Sequence, residues 1–241
     1  MKMHIVHGVR IVEEGQGNTI VLLHPSGHPP SALTAHIKLF SQDARLIAPN
    51  LYDIAGMVKV LDEKSFAQAL DRILRELQAN RVLLVGCSIG GDIALSYASL
   101  YSQAVSGVVV VDAVGIERKS IFIWLVVFIQ TCIQSLLTKK SRDNVGFLPF
   151  VIEFLKHPLN VWKLLWFAMH ASIEKYIPGV KAPVLLMWGE EDRLASLKTG
   201  KILKQKLANA HLIVVPQASH FWITIELEFF ISNINIFRKS L

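Results

Sequence analysis

Cysteine and charge are both scarce in this sequence. Its only two cysteines, Cys87 and Cys132, are too few for a disulfide framework or a cysteine-rich metal site. Charged residues make up 18% of the chain and hydrophobic residues 52%, so we expect a folded protein with a large core rather than a disordered one. The segment Met1–Gly8 contains no apolar run typical of a signal peptide, and a cytoplasmic location is therefore expected.

The sequence also lacks the patterns that indicate nucleic-acid or nucleotide binding. Lys and Arg give a net charge of +6 but are scattered, without a basic stripe interleaved with aromatic residues. The glycine-rich loops G-x-G-x-x-G and G-x-x-x-x-G-K-[ST] are absent. We therefore expect no nucleic-acid partner, no cofactor and no metal. A basic and apolar protein can still favour an anionic membrane surface.

Short apolar runs alternate with segments of helical periodicity along most of the chain. Strands are predicted at Val9–Val12, Thr19–Leu23, Arg45–Ala48, Arg81–Val85, Gly107–Val111, Val184–Met187 and His211–Val215. Helices are predicted at Glu63–Ala79, Gly91–Tyr101 and Leu194–Leu207, and from near Phe221 onward. This order predicts an α/β fold, a single domain over 1–241 with a mostly parallel, doubly wound sheet. Residues from about 116 to 180 interrupt the order and are predicted to form a helical cap insertion.

The most specific motif is the run Gly86-Cys87-Ser88-Ile89-Gly90, which lies directly between a predicted strand and a predicted helix. A serine at that position must turn the chain sharply, and Gly86 and Gly90 leave room for the turn. The turn predicts a nucleophilic Ser88 hydroxyl above the sheet edge, with the Ile89 amide directed at the same point. The alternatives are a tight turn without chemistry and a phosphate-binding loop, and the glycine spacing of known phosphate loops is missing.

Two further motifs complete a resemblance to the α/β-hydrolase family over nearly the whole chain. The run Trp188–Asp192 follows a predicted strand and is similar to the family's acid turn. The run Pro216–His220 follows the next strand and is similar to the loop with the family's histidine. The resemblance implies a triad in which His220 takes the proton of Ser88 and Asp192 orients the imidazole.

Other residues remain candidates for parts of this site. Glu190, Glu191 and Asp112, which follows the valine-rich strand, are alternative acids. The other eight histidines have no comparable placement, and most are expected to be surface or turn residues: His4, His7, His24, His28, His36, His157, His170 and His211.

The segment His24-Pro25-Ser26-Gly27 follows the strand that ends at Leu23. Relatives usually have His-Gly here, followed by the second oxyanion donor, so the resemblance assigns that role to the Ser26 amide, together with Ile89. Pro25 departs from the pattern and restricts the backbone of His24, but the amide required is that of Ser26. A Pro-Ser-Gly turn without a catalytic role is the alternative.

A strongly apolar run, Ile121–Leu137, lies between charged clusters within the predicted cap. Its length is near the lower limit of about 17 apolar residues for a spanning helix. A single crossing would separate Ser88 from Asp192 and His220, so we do not expect it to span. Two interpretations stay open: a buried cap helix, and a cap that enters a membrane surface and admits lipid-like esters.

The second cap stretch, Asn160–Ile177, has large apolar side chains at helical spacing. They are expected to pack and to form walls of an acyl pocket: Trp162, Leu165, Trp166 and Met169.

The expected function is hydrolysis of a small-molecule ester or thioester with an apolar acyl group, either lipid-like or bound to a carrier. A serine at position 88 disfavours haloalkane dehalogenases and epoxide hydrolases, which have aspartate there. Two other functions stay open. One is a C–C-cleaving or non-hydrolytic enzyme of the same fold, and the other is a binding protein that has lost turnover.

Overall fold

A central eight-stranded sheet organises the protein in a computed structural model that describes residues 1–117, 129, 148–220 and 222–241. The strands are β1 (Lys2–Val6), β2 (Val9–Glu14), β3 (Thr19–Leu23), β4 (Arg45–Pro49), β5 (Val82–Cys87), β6 (Val105–Val111), β7 (Val184–Gly189) and β8 (Ala210–Val215). Their order in the sheet is β1-β2-β4-β3-β5-β6-β7-β8. β2 is antiparallel to β1 and β4, and every other pairing is parallel. The predicted α/β class with a mostly parallel sheet is confirmed.

Helices cover both faces of this sheet. The described α-helices are α1 (Thr34–Phe40), α2 (Leu51–Met57), α3 (Glu63–Glu76), α4 (Ile89–Leu100), α5 (Leu148–Lys156), α6 (Pro158–His170), α7 (Leu197–Lys206) and α8 (Leu227–Lys239). Short 3₁₀ segments lie at Pro30–Ala32, Ser102–Ala104, Glu174–Gly179 and Trp222–Thr224. Apolar side chains of α1 and α8 pack on one face, and those of α2, α3, α4, α6 and α7 contribute to the core on the other.

β6 shows why the sheet has two cores. Val108 and Val110 contribute to one core, while Val109 and Val111 contribute to the other, because successive side chains of a strand point to opposite faces. All four are almost fully buried. A strand buried on both faces requires an uninterrupted apolar run, as the sequence predicted for this segment.

Some elements are shorter or later than predicted. α7 begins at Leu197 rather than Leu194, because the amides of Leu194 and Ala195 donate to the Asp192 carboxylate outside the helix. The last helix begins at Leu227, after the 3₁₀ turn Trp222–Thr224, rather than near Phe221. The sequence did not predict β1, α1 or α2, and it predicted α5 only as part of the helical cap; α1 and α2 have seven residues each, too few for a clear helical period.

The described part of the predicted cap consists of α5, α6 and the 3₁₀ segment Glu174–Gly179. α6 packs against α2, and the 3₁₀ segment packs against α4. Glu153 of α5 and Asp53 of α2 both pair with the guanidinium of Arg10 in β2, which ties α5 and α2 to the sheet. The apolar run Ile121–Leu137 lies outside the described residues except for Ile129, so both interpretations of it stay predictions. Among the described helices, none is long and apolar enough to cross a membrane.

Candidate active site

Ser88 lies at the sharp turn between β5 and α4. Its φ of 53° and ψ of −122° put a non-glycine residue in a strained backbone region. The Ser88 amide donates to the carbonyl oxygen of Val111 at the end of β6, at 2.7 Å, which fixes the turn to the neighbouring strand. The turn therefore holds the Ser88 side chain at the carboxyl edge of the sheet, and strain of this kind is typical of functional residues.

Glycine is required on both sides of this turn for steric reasons. A Cβ atom on Gly86 would lie 2.3 Å from the carbonyl oxygen of Gly90, and one on Gly90 would lie 2.2 Å from that of Leu23. Both distances are far below van der Waals contact and involve backbone atoms. The turn can therefore form only with glycine at these two positions.

Three of the predicted site residues form a continuous chain of hydrogen bonds. His220 Nε2 lies 3.1 Å from Ser88 Oγ, and His220 Nδ1 lies 2.6 Å from Asp192 Oδ2. The other oxygen, Asp192 Oδ1, accepts the amides of Leu194 and Ala195, each at 2.8 Å. An ionised carboxylate only accepts hydrogen bonds, so Nδ1 bears the imidazole proton and Nε2 is left to accept the Ser88 hydroxyl. This is the arrangement that activates a serine hydroxyl.

The alternative acids occupy different positions. Glu190 and Glu191 are exposed, and the Glu190 carboxylate accepts the amide of Gln217 at 3.1 Å. Asp112 is 1% exposed and lies beside Asp192 and His220. Burial, followed by the negative charge of Asp192, raises the pKa of the Asp112 carboxyl well above its usual value. The structure thus brings Asp112, but neither glutamate, into the buried network.

Ligand atoms of Asp112, Asp192 and His220 lie within 4.8 Å of one another, a spacing that a metal ion could also use. Each carboxylate oxygen and each ring nitrogen of the three residues already takes part in a hydrogen bond. Four of these partners are N–H donors from the backbone or from Trp222. A cluster filled with N–H donors fits a hydrogen-bond network rather than a cation site.

The two predicted oxyanion donors have available amides. Within the described part of the chain, the amides of Ser26 and Ile89 donate to no acceptor. Ile89 is the first residue of α4, and its amide has no partner within the helix for that reason. The Ser26 carbonyl accepts a hydrogen bond from the Tyr52 hydroxyl, which holds this loop against α2.

As predicted, most of the other histidines lie at or near the surface: five are exposed or half-buried, whereas His24, His28 and His36 are buried. Burial lowers the pKa of His24 and of His36 to about 4 and that of His28 to about 3. His24 Nδ1 donates to the Pro25 carbonyl at 2.8 Å, and its Nε2 accepts the Leu51 amide at 2.8 Å. The neutral imidazoles of His24 and His36 bond to backbone near the site, a role that no local sequence pattern indicated.

The described residues of the predicted cap divide into a packed and an exposed side. In α6, Leu164 and Phe167 are buried, and Phe167 stacks on Phe66 with ring centroids 4.3 Å apart. Leu165 and Met169 are half-buried against the same core. Trp162 and Trp166 are 54% and 41% exposed, and the expectation that they form walls of an acyl pocket stays a prediction.

Comparisons with known proteins agree with the fold. A sequence model of the alpha/beta hydrolase family matches residues 20–226. The chain is 30% identical over 200 residues to the acylamino-acid-releasing enzyme of Rattus norvegicus, covering 78% of this chain and 24% of that enzyme. It therefore spans about a quarter of the length of that relative.

Two other similar proteins match over most of their length. The chain is 25% identical over 240 residues to the 2-hydroxy-6-oxo-2,4-heptadienoate hydrolase of Pseudomonas putida, covering 88% of this chain and 85% of that enzyme. The crystal structure of the enol-lactonase from Burkholderia xenovorans LB400 matches with a TM-score of 0.81 at 17% identity, covering 99% of this chain and 100% of that one. At that identity the structural likeness concerns the fold alone.

Proposed function

The chain belongs to the alpha/beta hydrolase family, and we propose that it is a serine hydrolase that cleaves carboxylic esters or thioesters with an apolar acyl group. Ser88 is the proposed nucleophile, His220 the general base and Asp192 the acid. The proposal rests on one observation above all: the hydrogen-bonded chain from Ser88 Oγ through the imidazole of His220 to Asp192, with distances of 3.1 and 2.6 Å.

In the first half of the proposed reaction, Ser88 Oγ attacks the carbonyl carbon while its proton passes to His220 Nε2. The carbonyl oxygen becomes an oxyanion, and the amides of Ser26 and Ile89 are the proposed donors to it. The positive end of the α4 dipole favours the same charge. Collapse of the tetrahedral intermediate breaks the bond to the alcohol or thiol, which receives the proton from His220, and leaves the acyl group on Ser88.

In the second half, a water molecule gives a proton to His220 Nε2 and attacks the acyl carbon. The new tetrahedral intermediate breaks its bond to Ser88 Oγ, and that oxygen recovers the proton from the imidazole. The carboxylic acid then leaves. Asp192 keeps its negative charge throughout and stabilises the imidazolium that forms twice in each cycle.

The exposed side of the described cap helices is apolar, which supports a lipid-like substrate. Seven large apolar residues there are 41–74% exposed: Leu148, Ile152, Phe154, Leu155, Leu159, Trp162 and Trp166. Lys156 lies on the same pair of helices, and the only acidic side chain of α5 and α6, that of Glu153, is buried against Arg10. We propose that this apolar side contacts an anionic lipid surface, where tryptophan and lysine are favoured together.

Cleavage of a carbon–carbon bond is the second candidate function. The similarity to the 2-hydroxy-6-oxo-2,4-heptadienoate hydrolase of Pseudomonas putida, which covers 88% of this chain, favours this candidate. An acyl-transfer site of the same geometry can serve a carbon leaving group if a proton is delivered to that carbon. The triad therefore does not separate the two candidates, and the leaving group must be varied.

A substrate panel tests the proposal. Purified protein and Ser88→Ala are assayed with p-nitrophenyl esters of increasing acyl length, with a thioester and with a vinylogous diketone. The proposal expects turnover of the esters or thioester that is lost in Ser88→Ala and is highest for an apolar acyl chain. Turnover of the diketone alone would favour the second candidate, and binding of acyl compounds without any turnover would favour a silent binding protein.

A further inference from the structure

Asp112 lies outside the proposed triad but connects the segments that contain it. Its backbone follows β6 with a φ of 48°, and its amide donates to the Met187 carbonyl at 3.2 Å. Its carboxyl oxygens each accept one hydrogen bond: Oδ1 from the Gly189 amide at 2.9 Å, and Oδ2 from Trp222 Nε1 at 2.8 Å. Both contacts are buried and join residues 77 and 110 positions apart in the sequence.

These two partners belong to the two loops that hold the proposed acid and base. Gly189 precedes Asp192 by three residues, and Trp222 follows His220 by two. The residue before Asp112, Val111, accepts the amide of Ser88 at 2.7 Å. The end of β6 therefore bonds directly to the nucleophile turn, the acid turn and the histidine loop.

We propose that Asp112 is a positioning residue, which fixes Asp192 and His220 relative to Ser88 through the Gly189 amide and the Trp222 indole. The inference rests on the proposed function, because it concerns the geometry of that same triad. Removing the Asp112 carboxyl would leave a buried amide and a buried indole N–H without acceptors. The two loops would then be free to shift, and a displacement of about 1 Å in a catalytic group can cost about 100-fold in rate.

The charge of Asp112 follows from its neighbours. The titratable groups that face it are Asp192, His220 and the buried thiol of Cys87. Two adjacent buried carboxylates rarely both ionise. Asp192 is the one that we take as ionised, because it accepts two amides and also contacts His220 Nδ1. Asp112 is therefore the neutral acid. One negative charge beside His220 stabilises the imidazolium.

Three variants test this role against wild-type protein. Asp112→Leu removes both acceptors and is expected to lower kcat by about 100-fold with little change in KM. Asp112→Asn keeps the neutral charge and one acceptor, so its loss of kcat is expected to stay below about tenfold. Trp222→Phe removes the indole N–H together with part of a fully buried ring, and its loss of kcat combined with that of Asp112→Leu should be less than additive.

The pH profile separates positioning from a direct charge effect. If Asp112 is neutral, Asp112→Asn leaves the acid limb of kcat/KM where it is in the wild type. If Asp112 were ionised, its replacement would remove a negative charge and move that limb to lower pH, which would overturn the inference. Asp92→Asn is the matched control, because Asp92 is an equally buried carboxyl on α4 that accepts the Gly115 amide instead. It is expected to keep kcat within about twofold of wild type.

A second readout does not need turnover. The Nδ1 proton of His220, hydrogen-bonded to Asp192, should give a low-field ¹H resonance in wild type and in Asp92→Asn, and should be lost or shifted in Asp112→Leu. A wild-type resonance and wild-type kcat in Asp112→Leu would contradict the inference. If Asp112→Leu does not fold, Trp222→Phe replaces it, and a wild-type resonance and wild-type kcat in Trp222→Phe would contradict the inference. A wild type that hydrolyses nothing would defeat the proposed function, while the resonance would still test the positioning role.

Discussion

His24 Nε2 accepts the Leu51 amide at 2.8 Å, while the Nδ1 proton of the same ring is bound to the Pro25 carbonyl. Leu51 is the first residue of α2, so the imidazole ties the loop of the proposed oxyanion donor to a helix end. Both ring nitrogens are engaged only when the imidazole is neutral. The position of the loop therefore depends on the protonation state of one completely buried histidine.

This bond predicts a loss of stability in acid. Burial lowers the pKa of His24 to about 4, whereas in the unfolded chain it is about 6.5. Because the pKa of His24 is lower in the folded state, the unfolded state binds the proton first as the pH falls. The contribution of the neutral ring to the free energy of unfolding is therefore complete above pH 6.5 and is lost as the pH falls from 6.5 to about 4. The loss amounts to about 3 kcal/mol for this residue.

Urea unfolding at pH 7 and at pH 4.5 measures this effect. His24→Gln keeps an acceptor for the Leu51 amide and has no titrating ring, so its free energy of unfolding should fall less between the two pH values than that of wild type. His211→Gln, at an exposed position, is the control and should behave like wild type. An equal pH dependence in His24→Gln and wild type would show that His24 is not the titrating group.

Gly90→Ala should destabilise the nucleophile turn severely. The new Cβ atom would lie 2.2 Å from the Leu23 carbonyl oxygen, and neither backbone segment can move without disturbing the sheet. We expect a loss of about 3 kcal/mol or insoluble protein. Gly107→Ala is the control, because the atoms its Cβ would meet belong to the side chains of Leu241 and Phe237. Thermal unfolding of the two variants should differ clearly, and equal melting temperatures would mean that the turn is more adaptable than this geometry allows.

The identity of the acid is open to a direct comparison. Asp192→Asn should lower kcat by about 10⁴-fold, because an amide in this position no longer holds the imidazole in the tautomer that accepts the Ser88 proton. Glu190→Gln and Glu191→Gln should stay within about twofold of wild type, since both side chains are exposed. Steady-state kinetics with a p-nitrophenyl ester measures all three. A larger loss in either glutamate variant than in Asp192→Asn would reassign the acid.

Binding to vesicles tests the proposed lipid contact. Co-sedimentation with vesicles that contain anionic lipid should fall several-fold in Trp162→Ser/Trp166→Ser. Ile5→Ser is the control, because Ile5 is 70% exposed on the edge strand β1, away from α5 and α6 in the chain. Wild-type binding in the double variant would exclude this surface as the contact, and high salt should weaken binding if the charge of the lipid contributes.

The sequence predicted those features whose cause is local. The valine-rich β6 and the turn around Ser88 each depend on a few adjacent residues. The motifs after β5, β7 and β8 were expected to meet because parallel strands end at the same edge of the sheet. The bond between Asp112 and Trp222 joins residues 110 positions apart, and nothing near either residue indicates its partner. Burial of His24 depends likewise on α2, a seven-residue helix too short to recognise from periodicity.

The most direct test of the account is covalent labelling of Ser88. Wild-type protein is treated with a fluorophosphonate, and the modified residue is located by mass spectrometry after digestion, with Ser88→Ala and His220→Ala treated in parallel. The account predicts one adduct, on Ser88, which is absent from Ser88→Ala and forms far more slowly in His220→Ala. A folded wild type without an adduct, or an adduct of equal yield in Ser88→Ala, would contradict the claim that Ser88 is an activated nucleophile.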